Sequence, residues 1–124
     1  MLLRFLVLLF LAFATPALSQ DFPVQIDHAY GSTTIESAPH RVVSWGATSY
    51  DAVIALGIVP VGIPRVPYGG DAEGKLPWTV EAVEALGGTF PALLTPGAEV
   101  AIEEIAALNP DLIIAVYSGI THEQ

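Results

Sequence analysis

Short apolar runs, each separated from the next by helix signals and Gly/Pro stops, constrain this chain more than any other feature. Val42-Val43-Ser44-Trp45 reads as a strand, and Thr48 and Asp51 then have capping-box spacing ahead of Ala52, Val53 and Leu56. Gly57 is the expected stop of that helix. Ile58-Val59-Pro60-Val61-Gly62-Ile63 is the next strand, with Pro60 near its start, where a missing N–H is tolerable. Thr79 to Leu86 predicts a short helix with Val80, Val83 and Leu86 at three-residue steps, closed by Gly87-Gly88. Leu93-Leu94-Thr95 gives a brief strand ended by Pro96-Gly97. Ile102, Ile105, Ala106 and Leu108 make the inward face of another helix, which ends where Asn109 precedes Pro110. Leu112 to Tyr117 is an unbroken apolar run, the pattern of a strand covered on both faces. Such alternation specifies an α/β domain with a mostly parallel sheet, a three-layer Rossmann-like lobe. Ahead of it, Gln25 to Glu36 alternates about a turn at Gly31-Ser32, which predicts a β-hairpin with Ile26 and Ile35 as its apolar members.

Both ends of the chain carry signals of their own. Met1 to Ser19 has one cation, Arg4, then an apolar run from Phe5 to Ala14, a break at Pro16 and small residues at Ala17-Leu18-Ser19. This is the layout of a secretory signal peptide, with cleavage expected after Ser19 and a weaker site at Ala12-Phe13-Ala14. The run is shorter than the roughly 20 residues that span a bilayer, so an exported, periplasmic protein is expected and an integral membrane protein is not. Thr121-His122-Glu123-Gln124 reads as the opening turn of a helix with no apolar face yet to bury. Residues 20–124 are therefore expected to form a truncated lobe.

Composition removes several functional classes. The 124 residues include no cysteine, which excludes a disulfide framework, a thiolate metal site, a cysteine nucleophile and a lipid-modified cysteine. Four Lys+Arg against 13 Asp+Glu give a formal charge of -9, which argues against nucleic acid as a partner. No Gly-x-Ser-x-Gly elbow, phosphate-binding Gly-x-x-x-x-Gly-Lys loop or His-Glu-x-x-His is present. His28, His40 and His122 are too dispersed to suggest a metal site. Glu103 and Glu104 are adjacent on a helix, so their carboxylates diverge and suit a solvated face better than a catalytic pair. No catalytic residues, metal ligands or resident cofactor are expected.

Binding is better supported than catalysis. In open α/β sheets, ligands collect beyond the carboxyl ends of the strands. Three such ends here carry aromatic or polar groups: Trp45 with Thr48, Arg65 with Tyr68, and Tyr117 with Ser118. The long Gly/Pro-rich loop between Pro64 and Pro77 leads to Trp78. Aromatic faces around one fixed cation suit a bulky, ring-bearing, anionic ligand. Trp45 and Tyr117 also fit core positions that face a helix.

These residues bring a family resemblance with them. The hairpin followed by Pro39-His40-Arg41-Val42-Val43, then Leu56-Gly57-Ile58-Val59-Pro60-Val61-Gly62, resembles periplasmic binding proteins of the iron-siderophore and vitamin B12 class. The run from Ile102 to Ile113, with Leu108-Asn109-Pro110-Asp111 inside it, is similar to that family's most recognisable segment. Tyr68-Gly69-Gly70-Asp71 with Leu76-Pro77-Trp78 is similar to a ferric-siderophore subgroup. The resemblance implies two α/β lobes joined by a long helix, a ligand held between them, and delivery to an ABC importer. This chain would be the N-terminal lobe alone, with the C-terminal lobe absent. It further implies a ferric siderophore as ligand and the membrane permease as partner, with Glu103 docking against a permease arginine. Haem or a corrinoid is the alternative ligand, and a small exported α/β hydrolase the alternative of another class. Ala101 stands where relatives often place a capping Asn or Ser, so the start of its helix is expected to fray.

Overall fold

The computed structural model describes residues 21–46, 48–97 and 99–121. The expected signal peptide and His122 lie outside these residues. The chain divides after Ala38 into two compact units.

The described part of the first unit is an antiparallel hairpin of β1 (Val24–His28) and β2 (Gly31–Ile35). The register pairs Val24 with Ile35 and Ile26 with Thr33, so these side chains share one face. The turn falls at Ala29-Tyr30, two residues earlier than the sequence suggests, and Gly31 instead opens β2. His28 explains the shift. Its Nδ1 accepts the Tyr30 N–H at 3.2 Å while Nε2 meets the Thr33 hydroxyl at 3.0 Å, so both ring nitrogens close the turn.

The second unit is a four-stranded parallel sheet in the order β5-β4-β3-β6. Its elements run β3 (Val42–Ser44), α1 (Ser49–Ala55), β4 (Gly62–Pro64), α2 (Pro77–Ala85), β5 (Ala92–Leu94), α3 (Ile102–Ala107) and β6 (Leu112–Ile114). The chain steps outward from β3 to β5 and then returns to place β6 on the other side of β3. The helices accordingly divide between the two faces of the sheet. Tyr50 and Ile54 of α1 pack with Ile63 of β4, Leu76 just ahead of α2 and Val83 within α2 on one face. Ile105 of α3 packs with Val43, Trp45 and Leu94 on the other. This is the expected three-layer α/β architecture, and no helix among the described residues is long and apolar enough to cross a membrane.

Several local expectations shift. The strand expected from Ile58 is confined to Gly62–Pro64; of the lead from Ile58 to Val61, Val61 alone bonds to neighbouring strands, its N–H to the Val42 carbonyl and its carbonyl from the Ala92 N–H. Pro77 sits in the first turn of α2, so that helix begins earlier than Thr79, and Leu86 at its end is exposed. On α3, Ile105 is buried and Leu108 half-buried, but Ile102 and Ala106 face out. The apolar run of β6 is not covered on both faces. β6 is an edge strand, and Ile113 remains 50% exposed on the face it shares with Val43.

An aspartate clasps the amino end of this sheet. The Asp111 carboxylate accepts the N–H groups of His40 at 2.7 Å and Arg41 at 2.9 Å, and its own N–H donates to the Arg41 carbonyl. The Arg41 guanidinium crosses back to the carbonyls of Leu108 and Asn109. The His40 N–H, and then that of Arg41, hold the Asp111 carboxyl below its ordinary value of 3.8 against a smaller opposing effect of desolvation. A depressed folded value stabilises the ionised, folded form, so the contribution is complete above 3.8 and fades as pH falls through the lower folded value. Asp111→Asn should therefore be less stable than wild type in urea at neutral pH, and the gap should narrow as pH falls below 3.8 and on through the lower folded value. A gap that is constant with pH would contradict the clasp. In the core, Leu94 is 2% exposed beneath α3, and Leu94→Ala should cost about 2–5 kcal/mol of unfolding free energy in the same measurement.

Candidate functional site

The point where the chain reverses direction in the sheet lies between β3 and β6, and the backbone there is drawn together. The Trp45 N–H continues the ladder to the Ile114 carbonyl at 2.8 Å. Gly46 follows with φ +108, and a β-carbon on it would lie 2.8 Å from the Val116 carbonyl oxygen and 2.9 Å from Ser118 Cα. A residue without a side chain is what lets these two loops touch.

Beyond this junction the carboxyl ends of all four parallel strands surround one open cleft of about 540 Å³. Trp45, Gly46, Thr48 and Tyr50 come from the end of β3 and the start of α1. Pro64 to Tyr68 come from β4 and its loop, Pro96 and Gly97 from beyond β5, and Tyr117 and Ser118 from beyond β6. Leu76 and Trp78 complete the lining from the start of α2. Every ligand-contact residue expected from the sequence, namely Trp45, Thr48, Arg65, Tyr68, Trp78, Tyr117 and Ser118, lines this one cleft.

Their burial separates their parts in it. Trp45 is 5% exposed and packs against Val43, Leu94 and Ile105, so it is a core residue whose edge forms cleft floor. Tyr117 is 90% exposed, which removes the option that it faces a helix. Tyr68 and Trp78 are also exposed. Thr48 sits at the N-cap position with φ 65, and its side chain caps nothing. The expected capping box therefore does not form, and Asp51 instead accepts from the Thr79 hydroxyl of α2 at 3.4 Å. The Ser118 hydroxyl accepts the Ile120 N–H at 3.2 Å, which holds the turn after β6.

Arg65 is the sole charged residue among those lining the cleft. Its N–H pairs with the Leu94 carbonyl, which fixes its backbone at the end of β4. Its aliphatic stem lies against Gly74, whose φ of +86 and missing side chain leave the space. No hydrogen bond or ion pair engages its guanidinium among the described residues; the ion pair found there joins Lys75 to Glu73. The loop carrying Tyr68 is a folded unit. Asp71 Oδ1 accepts the N–H groups of Glu73 and Lys75, both at 2.9 Å, and these bonds, that of Lys75 above all, lower the Asp71 carboxyl below its ordinary range. The Val66 N–H ties the loop back to the Gly74 carbonyl, and the Lys75 ammonium lies 5.2 Å over the Phe90 ring.

On α3 the two glutamates differ. Glu104 accepts the Thr95 N–H at 2.8 Å, and bonding to Thr95 lowers its carboxyl. Glu103 is exposed, with no partner among the described residues. Ala101 provides no side-chain cap, as its identity predicts, and α3 is held instead by the Glu104 tie to the end of β5. Tyr50 is the ring among the lining residues that the sequence does not single out, beside apolar ones such as Val66 and Leu76. It stands two residues after the expected cap, in the first turn of α1, a place that carries no binding signal of its own.

No family model matches the chain. Individual relatives do. It is 34% identical over 98 residues to the Fe(3+) dicitrate-binding periplasmic protein FecB of Escherichia coli (strain K12), covering 79% of this chain and 30% of that protein. It is 31% identical over 97 residues to the putative ABC transporter substrate-binding lipoprotein YhfQ of Bacillus subtilis (strain 168), covering 78% and 28%. The structure of PiaA from Streptococcus pneumoniae TIGR4 in complex with ferrichrome superposes with a TM-score of 0.71 at 40% identity, over 81% of this chain and 33% of that one. The chain thus spans about a third of the length of these relatives. Its homologues thus include a periplasmic Fe(3+) dicitrate-binding protein, a putative ABC transporter substrate-binding lipoprotein and a protein solved in complex with ferrichrome.

The tight β3–β6 junction yields a direct test. Gly46→Ala meets backbone atoms and an unfavourable φ together, and should lower stability by about 1–3 kcal/mol in urea unfolding. A neutral result would mean that the two loops part at no cost.

Proposed function

We propose that this chain forms one wall of the ligand cleft in an exported substrate-binding component of an ABC importer. In this reading the cleft captures a ferric siderophore complex and delivers it to the membrane permease, with no chemical turnover. The carrying observation is the unpaired guanidinium of Arg65 among the rings of Trp45, Tyr68, Trp78 and Tyr117, in a chain of formal charge -9. A charged side chain in an acidic protein is ordinarily claimed by a carboxylate; one held at a strand's carboxyl end with no ion pair among the described residues suits an incoming anion. The relatives' own names, which cite Fe(3+) dicitrate, ferrichrome and ABC transport, support the same ligand class.

Glu103 is the permease-docking residue in this reading. Its partner on the same helix, Glu104, is committed to Thr95, which leaves Glu103 as the carboxylate available to a permease arginine. Such an exposed charge contributes register and association rate more than affinity. The leader peptide expected at residues 1–19 would bring the protein to the periplasm.

Both tryptophans of the chain line the cleft, so intrinsic fluorescence reports binding directly. Ferric citrate and ferrichrome are the probes, one anionic and one neutral. Quenching by either complex is expected, and no response to any ferric complex would overturn the proposal. A Soret band on titration with haemin, without quenching by the siderophore complexes, would favour haem. Arg65→Ala should weaken ferric citrate by tenfold or more, the loss of a charge-assisted contact of about 1.5–3 kcal/mol, and leave ferrichrome much less affected. Equal losses for both would remove Arg65 from ligand recognition.

A further inference from the structure

Tyr50 has a feature that packing does not account for. Its ring lies in the apolar cluster of Ile54, Ile63, Leu76 and Val83, and the whole residue is 3% exposed. A buried tyrosine hydroxyl ordinarily finds a hydrogen-bond partner, because leaving it unsatisfied costs free energy. None of the described residues provides one for Tyr50. Yet no fully enclosed side-chain oxygen or nitrogen is left unpaired, so the phenol oxygen is not sealed within the protein. Tyr50 is also one of the residues that line the cleft.

Phenylalanine would fill the same apolar space without desolvating a hydroxyl, so packing alone does not call for the oxygen. It is a polar group fixed at the cleft floor by a buried ring, with its hydrogen-bonding capacity unspent. Burial, and then the nearby Asp51 charge, raise the phenol above its ordinary value of 10.0. It therefore remains protonated, and a donor, wherever a carboxylate or hydroxamate ligand is bound as an anion.

We propose that Tyr50 is a specificity residue of the cleft, its hydroxyl donating a hydrogen bond to an oxygen acceptor on the iron-coordinating groups of the bound complex. The inference rests on the ferric-complex reading above and adds to it a fixed point of contact at the floor of the cleft. Arg65 then recognises charge at the rim, and Tyr50 recognises an acceptor at a fixed point below. The ring costs little entropy to position, because it is already packed in the free protein.

Tyr50→Phe tests this in the full chain, since it removes one oxygen and leaves the ring in place. Affinity for ferric citrate and for ferrichrome is measured by tryptophan quenching, and thermal unfolding is followed without ligand. Expected is an approximately tenfold weaker affinity for each complex that the wild type binds, with the ligand-free unfolding temperature unchanged or raised. Unchanged affinity for every complex bound by wild type would overturn the role of Tyr50 while leaving the cleft reading intact. A marked drop in ligand-free stability would also overturn it, by showing that the hydroxyl holds the fold. Failure of the wild type to bind either complex would overturn both.

Discussion

Because β6 returns to pair with β3 on the side away from β4, the helices must divide between the two faces and their loops must part at the strands' carboxyl ends. The register of Val42 with Leu112 through Ser44 with Ile114 holds that junction, and the Trp45 N–H extends it by one further bond. The Asp111 clasp locks its amino end, and the close approach at Gly46 closes its carboxyl end. The cleft is the direct consequence. Trp45, at the last rung, belongs at once to the core under α3 and to the cleft floor, so the ligand wall is continuous with the packed interior.

The opposite rim depends on a loop that behaves as folded structure. Gly69 and Gly74 supply the positive-φ positions that this loop turns on as Asp71 collects its N–H groups, and the Val66–Gly74 bond returns the loop to the end of β4. Gly74 then provides the channel along which the Arg65 stem runs. Acidic residues elsewhere are occupied in the same manner. Asp71, Glu104 and Asp111 accept backbone N–H groups, and Asp51 accepts a hydroxyl. Much of the carboxylate excess near the lobe is engaged locally, which helps to leave Arg65 without an internal partner.

Legibility in the sequence followed the range of the interactions involved. Strand-helix alternation from Val42 to Ile114, the stop at Gly57 and the absence of a cap at Ala101 are local matters, and the structure agrees with each. Residues immediately after strands could be placed at one edge because parallel strands align their carboxyl ends. The capping box at Thr48 was misread because its spacing does not reveal that residue's left-handed backbone. The coverage of β6 was misread because apolarity reports what a strand can bury, whereas its edge position depends on strand order. Tyr50 was overlooked for a related reason: a ring in a first helical turn carries no sign of whether its hydroxyl will meet a neighbour.

What the sequence determined by itself was the class of fold, the acidic and cysteine-free chemistry, and the aromatic and cationic residues at the strand ends. These follow from periodicity, turn chemistry and composition, all of which act over a few residues at a time. Only the tertiary structure decided that those residues share one cleft, that Glu104 is committed to Thr95, and that Arg65, Glu103 and the Tyr50 oxygen find no partner among the described residues. Each of these depends on which groups from distant parts of the chain arrive beside one another, and strand order, set by the return of β6 to β3, governs that arrival.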